Sequence, residues 1–163
     1  MPLYGKIRDI NLFKSMNNEL IHKIIEQQIG YYKPKLNESS TNIFGESLSK
    51  TWIGPALIQC LIDRGDFTWE TDDFGPDTKR TFSFRFLKDD LIAANVIPEV
   101  GDALLWEESY FEVNGINENQ LIVGKSNEAN YSTDVDSFCS SLSIILTAHY
   151  TRPEKLGIKL DRL

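Results

Sequence analysis

The chain has 163 residues, 41% of them hydrophobic and 11% aromatic, which suits one domain with a substantial core and leaves little room for a second. Lys and Arg number 17 against 24 Asp and Glu, a formal charge of −7, and this argues against a groove that holds nucleic acid by neutralising phosphates. No apolar run approaches the ~20 residues of a membrane span, and the opening MPLYGKIRDIN lacks the apolar stretch of a secretory signal, so a soluble protein folded in a reducing compartment is expected.

Charge is unevenly spread. Residues 1–14 carry +2 and residues 152–163 carry +2, so the segment between them holds −11. Basic arms at 1–14 and 151–163 on an acidic body suit contacts between copies or with partners, because opposite charges on different surfaces steer docking. Solvated tails are the plainer alternative. Cys60 and Cys139 lie in apolar surroundings, far apart and outside any CxxC pattern, and read as buried thiols.

In chain order, Met16, Leu20, Ile21, Ile24, Ile25 and Ile29 recur at helical spacing, which predicts an amphipathic helix from Asn17 or Asn18 to Gln28, ended by Gly30. Its apolar face needs a sheet or another chain to cover it. Tyr31 to Leu36 is extended, with Pro34 permitting at most an edge strand. Residues 37–49 are rich in Asn, Ser and Gly and form a long loop that embeds Ile43 and Phe44.

Ala56 to Asp63 predicts a strand covered on both faces, and Thr81 to Leu87 one with Phe82, Phe84 and Phe86 on a single face. Between them, residues 66–80 (DFTWETDDFGPDTKR) form a long connection without regular structure, and its aromatics imply ordering against something. A helical turn over Asp89 to Asn95 precedes strands at Ala103 to Trp106, Tyr110 to Val113, Gln120 to Gly124 and Leu142 to Tyr150, with polar links at Glu107-Glu108 and Asn114-Gly115. The fold class is mainly β with one N-terminal helix (α+β): a single domain over 1–163, built as a small antiparallel β-barrel or sandwich with long loops at 37–49 and 66–80 and extended termini.

The catalytic inventory is poor. His22 falls on the solvated face of the helix and His149 in the last strand, and no HExxH, GxSxG or P-loop is present. Asp72, Asp73 and Asp77 lack the alternating ligands and distal Glu of an EF-hand loop. Asp89-Asp90 suits a helix start. Neither an enzyme, a metal nor a cofactor is expected.

The succession Gly30-Tyr31-Tyr32-Lys33-Pro34, Ile43-Phe44-Gly45-Glu46-Ser47, Pro98-Glu99-Val100-Gly101-Asp102 and Ser109-Tyr110-Phe111-Glu112-Val113 resembles the neck proteins of contractile-tailed bacteriophages over about Asn18 to Lys125. The resemblance implies a head-completion or head-closure protein: a ring, most often of six copies, under the portal vertex in the virion neck, assembled in the host cytoplasm. It implies a small β-barrel with loops that order on assembly, double-stranded DNA passing without specific binding, and no catalytic residues. Its partners would be itself, the portal or connector protein, and a tail terminator or other neck protein.

In such a ring Asp66, Glu70, Asp72, Asp73 and Asp77 would face the lumen or a basic partner, with Trp69 and Phe74 as anchors. Ile43 and Phe44 would touch an adjacent ring, and Arg152, Lys155 and Lys159 would dock on a neighbour. The competing readings are a tail-terminator ring, a monomeric domain that binds one host protein, and a small hydrolase using the acidic segment.

Overall fold

A computed structural model describes residues 7–35, 40–41, 47–72, 75–118 and 142–158. Helix α1 (Ile7–Glu19) runs into a π-helical segment, Leu20–Ile25. It begins ten or eleven residues before the predicted start at Asn17 or Asn18. It also ends earlier: Glu26 adopts the left-handed conformation (φ 50°) and donates its N–H to Ile21 O at 3.0 Å, so Glu26 closes the helix and Gly30 belongs to the first strand.

Among the described residues nine strands follow: β1 (Gln28–Pro34), β2 (Ser40–Thr41), β3 (Ser47–Ser49), β4 (Trp52–Gln59), β5 (Leu61–Asp72), β6 (Gly75–Leu87), β7 (Ala103–Trp106), β8 (Ser109–Asn117) and β9 (Ser143–Thr151). Short helices α2 (Lys88–Ala93) and α3 (Pro153–Leu156) complete the set. Seven strands form one antiparallel sheet in the order β4-β1-β7-β8-β9-β6-β5, while β2 and β3 make a separate two-stranded ladder inside the predicted loop 37–49. The chain is therefore mainly β with an N-terminal helix, as expected, but the sheet is open rather than a closed barrel.

The two edges of that sheet, β4 and β5, are consecutive in the chain and joined by Cys60 alone. Residues two apart are at most about 7 Å from one another, so the sheet has to curl until its edges meet at this corner. Cys60 N–H bonds Gln27 O at 3.0 Å, which ties the corner to the end of the helical segment.

Inside the curl lies one core: Ile29, Tyr31, Ile58, Cys60, Phe84, Phe86, Leu91, Leu104, Trp106, Phe111, Val113, Ile144, Leu146 and Ala148. Rings pack edge to face within it, with centroids 4.8 Å apart for Phe82–Phe111 and 5.6 Å for Phe84–Phe111. The predicted alternation in β6 holds, since Phe84 and Phe86 are fully buried and Arg85 is exposed. The expectation that Ala56 to Asp63 is covered on both faces fails: Ile58 is buried, but Leu57, on the edge strand β4, is 59% exposed.

Other differences have local causes. β1 is an interior strand, and Pro34 is tolerated as its last residue, beyond the β7 ladder that spans Gly30 to Tyr32. Asn114-Gly115 is a bulge within β8 instead of a link. Glu107 and Glu108 form the β7–β8 turn, both with positive φ (45° and 62°). The predicted strand Gln120 to Gly124 lies outside the described residues.

On the outer face, Leu156 of α3 is fully buried against Ala103 and Tyr110, with Trp52 Nε1 donating to Leu156 O at 2.8 Å. Residues 151–158 thus fold onto their own body, where a free arm was expected.

Phe111 touches Phe82, Phe84, Trp106 and Tyr150. Phe111→Ala should lower unfolding free energy by about 3–5 kcal/mol, read by urea denaturation, whereas Phe82→Ala at the partly buried end of the cluster should cost less.

Candidate functional site: assembly surfaces

Asp102 is completely buried; Tyr31 Oη donates to its carboxylate, and Glu99 N–H donates to Oδ2 at 2.7 Å. Burial is the largest influence on this carboxyl and raises its pKa above the ordinary 3.8, with the Tyr31 and Glu99 hydrogen bonds acting in the opposite direction. Burial likewise raises the Tyr31 hydroxyl and pushes the Cys60 thiol up to about 12. The Asp102 backbone pairs with Val113 (2.9 Å), so the network pins the turn at 99–102 to β8.

His22 is half-buried against the body, in contrast to the solvated position expected: its Nε2 lies 3.4 Å from Asp90 Oδ1. His149 sits opposite Glu112 in the β8–β9 register, and Glu112 is approached by Lys50 (3.6 Å), His149 (3.9 Å) and Lys155 (3.9 Å). Among the described residues no group of three or more His, Cys, Asp or Glu could hold a metal ion, and no helix is long and apolar enough to cross a membrane.

The distinctive feature is the connection expected to be irregular. Residues 66–72 complete β5 and 75–80 begin β6, pairing from Phe67↔Arg80 to Asp72↔Gly75. On the other side of β6 the β9 ladder starts only at Thr81↔His149. Residues 67–80 therefore continue past the seven-stranded sheet as a two-stranded ribbon. Segment 66–80 lacked the strict apolar alternation by which strands are recognised, and acidic residues with Gly75-Pro76 suggested a loop; cross-strand backbone pairing needs neither.

A register shift between Arg64 and Phe67 marks where the ribbon leaves the sheet. Gly65 sits there, and a Cβ built on it would come within 2.5 Å of Thr81 O. Such a bulge redirects a strand and increases its twist.

Asp66, Trp69, Glu70 and Asp72 thus lie on β5 and Asp77 on β6, while Asp73, Phe74, Ile43, Phe44 and Lys159 lie outside the described residues. Arg152 is exposed at the start of α3, and Lys155 is exposed, with its ammonium directed to Glu112 of its own chain.

A second surface was only half legible in the sequence. Helix α1 and its π-helical continuation meet the body through Lys14, whose Nζ is 3.0 Å from Asp89 Oδ2, through His22, and through buried Ile21. Away from the body, Leu12 (57%), Phe13 (47%), Met16 (59%), Leu20 (42%) and Ile24 (70%) remain exposed. Of the apolar positions expected to need a cover, Ile21 and Ile29 are buried and Ile25 half-buried, whereas Met16, Leu20 and Ile24 face solvent.

No protein-family model and no curated protein matches the chain. Among solved structures it is similar to a chain of a particle described as "Virion of native gene transfer agent (GTA) particle", at 9% identity and a TM-score of 0.46, over 77% of this chain and 94% of that one. A superposition of that quality carries no functional assignment.

Two predictions follow from this geometry. Because the folded Asp102 pKa is raised, its stabilising contribution is full below the unfolded value and is lost as pH rises through the folded one. Asp102→Asn should accordingly flatten the fall in stability of the wild type as pH is raised from about 4, measured by denaturation across pH. Gly65→Ala should cost about 1–3 kcal/mol and change amide exchange in the ribbon and its hinge while leaving exchange in β7 and β8 unaltered.

Proposed function

We propose that this chain is a structural component of a contractile-tailed phage virion, forming a ring that closes the DNA-filled head at the portal and joins it to the tail. The observation that carries the reading is the ribbon 67–80. Among the described residues no third strand pairs with the ribbon, and a lone two-stranded hairpin is marginal in water, so the ribbon has use for a further surface to pack against. The order of the YYKP, IFGES and SYFEV motifs points to the neck of the particle.

Charge supports the same conclusion. A ring with net charge −7 per copy repels phosphates and lets DNA pass without adhering. In this reading Asp66, Glu70, Asp72, Asp73 and Asp77 face the lumen or a basic neighbour, Trp69 and Phe74 anchor the ribbon, and Ile43 and Phe44 meet an adjacent ring. Arg152, Lys155 and Lys159 offer cations to an acidic partner. A closed ring needs two different patches per subunit, and the ribbon and the apolar helix are two. The role is architectural and requires no catalysis, metal or cofactor.

Light scattering over a concentration series, alone and with candidate portal protein, tests the proposal. The expected mass is that of about six copies, either alone or on the portal. Replacing residues 67–79 by a two-residue turn should leave a folded monomer, because residues 81–87 keep their β9 ladder. Rings formed normally by that variant would overturn the ribbon's role, and capture by tail-tube protein but never by portal would transfer the ring to the tail.

A further inference from the structure

From position 11 to position 25 only Ile21 is buried, while Leu12, Phe13, Met16, Leu20 and Ile24 stay open to solvent. A cleft of about 120 Å³ lies between Lys14 and Asn18 of the helix and Leu87 and Leu142 of the body, so the close packing that gives dispersion its strength is missing there. Two charged contacts with the start of α2 set where the helix lies: Lys14 Nζ to Asp89 Oδ2 at 3.0 Å, and His22 Nε2 to Asp90 Oδ1 at 3.4 Å. The attachment is specific but sparse.

The link from this segment to the body is short and strained. Only Glu26 and Gln27 stand between Ile25 and the first residue of β1. Gln27 O is held by Cys60 N–H at 3.0 Å, which fixes the body side of the link and leaves the rotation to Glu26. Glu26 sits at φ 50°, a left-handed conformation that is costly for a residue with a Cβ. Its N–H closes the π-helical turn on Ile21 O, and π-helical turns are rare and concentrate at functional positions. An extended Glu26 would release both.

A terminal element with few contacts, carried on a short strained hinge, is the arrangement from which identical chains exchange segments. Both halves of the contact are fixed by the single chain, which carries the helix and the surface on α2 that receives it. The same pairs form within one chain or between two, so the balance rests on the hinge and on protein concentration. From His22 to Gln28 the chain reaches about 15 Å with the hinge extended, so a receiving α2 has to belong to a copy in direct contact.

We propose that in the assembled protein the N-terminal helical segment of each copy swings out at Glu26 and docks on α2 of the next copy, remaking Lys14–Asp89, His22–Asp90 and the burial of Ile21 between chains. Each copy gives one helix and receives one, so the contact is heterologous, as a ring requires. The exchange rests on the ring reading above and names the element that joins neighbours.

The test uses the full chain in a Cys139→Ser background, with Cys60 kept because its thiol is buried. Lys14→Cys and Asp89→Cys, placed on separately tagged chains, assembled together and treated with a short bismaleimide, should cross-link between chains at least tenfold more than Lys14→Cys with Glu154→Cys, an exposed position beyond the far end of β9. Charge exchange gives a second readout. Lys14→Glu with His22→Glu on one chain, and Asp89→Lys with Asp90→Lys on another, should each raise the midpoint concentration for assembly at least tenfold. An equimolar mixture should restore it to within about threefold of wild type, since every altered helix then meets an altered α2. If Asp90→Lys does not fold, the cross-link decides alone. Rings in which a chain carrying both Lys14→Cys and Asp89→Cys links only to itself, or a mixture no better than its folded parts, would overturn the exchange and leave the ring reading standing. A wild type that is monomeric at every concentration, with portal protein present and its helix linked only to its own α2, would remove both.

Discussion

The covalent link through Cys60 is the constraint from which the rest of this structure follows. Its two neighbours, Gln59 and Leu61, are the ends of strands on opposite edges of a seven-stranded sheet. A flat sheet of seven strands would hold those edges about 28 Å apart at the ~4.7 Å spacing of paired strands, and a single residue cannot bridge that gap. The sheet must curl, and a curled sheet has an inside. Aromatic side chains of β6, β7 and β8 fill it, and α2 adds Leu91 to the same core.

The same curl determines what is left outside. With the interior filled by side chains from the strands themselves, the N-terminal helix has no core to enter. It is held by Ile21 and by two pairs, Lys14–Asp89 and His22–Asp90, whose members retain 21–61% side-chain exposure. Partly exposed pairs contribute little, on the order of 0–1 kcal/mol each. The helix is thus weakly attached and apolar on its far side. The ribbon is the counterpart at the other end of β6, where the strand continues after its second neighbour has stopped.

How much of this was legible in the sequence divides along physical lines. Phe82, Phe84 and Phe86 alternate because one side of β6 is buried, and alternation is the signal a half-buried strand leaves. The alternation from Ile144 to Ala148 was read for the same reason, whereas Ala103 to Trp106, buried at three of its four positions, was recovered to the residue as a short apolar run between Gly101-Asp102 and Glu107-Glu108. The helix was recognised, but its covering partner could not be, since periodicity reports that a face is apolar and is silent on what lies over it. The ribbon was missed because its strands are held by backbone pairing beyond the core. The corner at Cys60 was invisible as well: Ala56 to Asp63 reads as one continuous apolar strand, yet it is the end of one edge and the beginning of the other. Among the acidic and aromatic residues put forward for assembly, the register now orders Trp69 and Glu70 onto opposite faces of the ribbon, a distinction composition alone does not make.

An exposed apolar stripe is ordinarily a hazard, and here net charge keeps it in check. At −7 per copy, two chains repel in most orientations, and indiscriminate contact between helices is disfavoured.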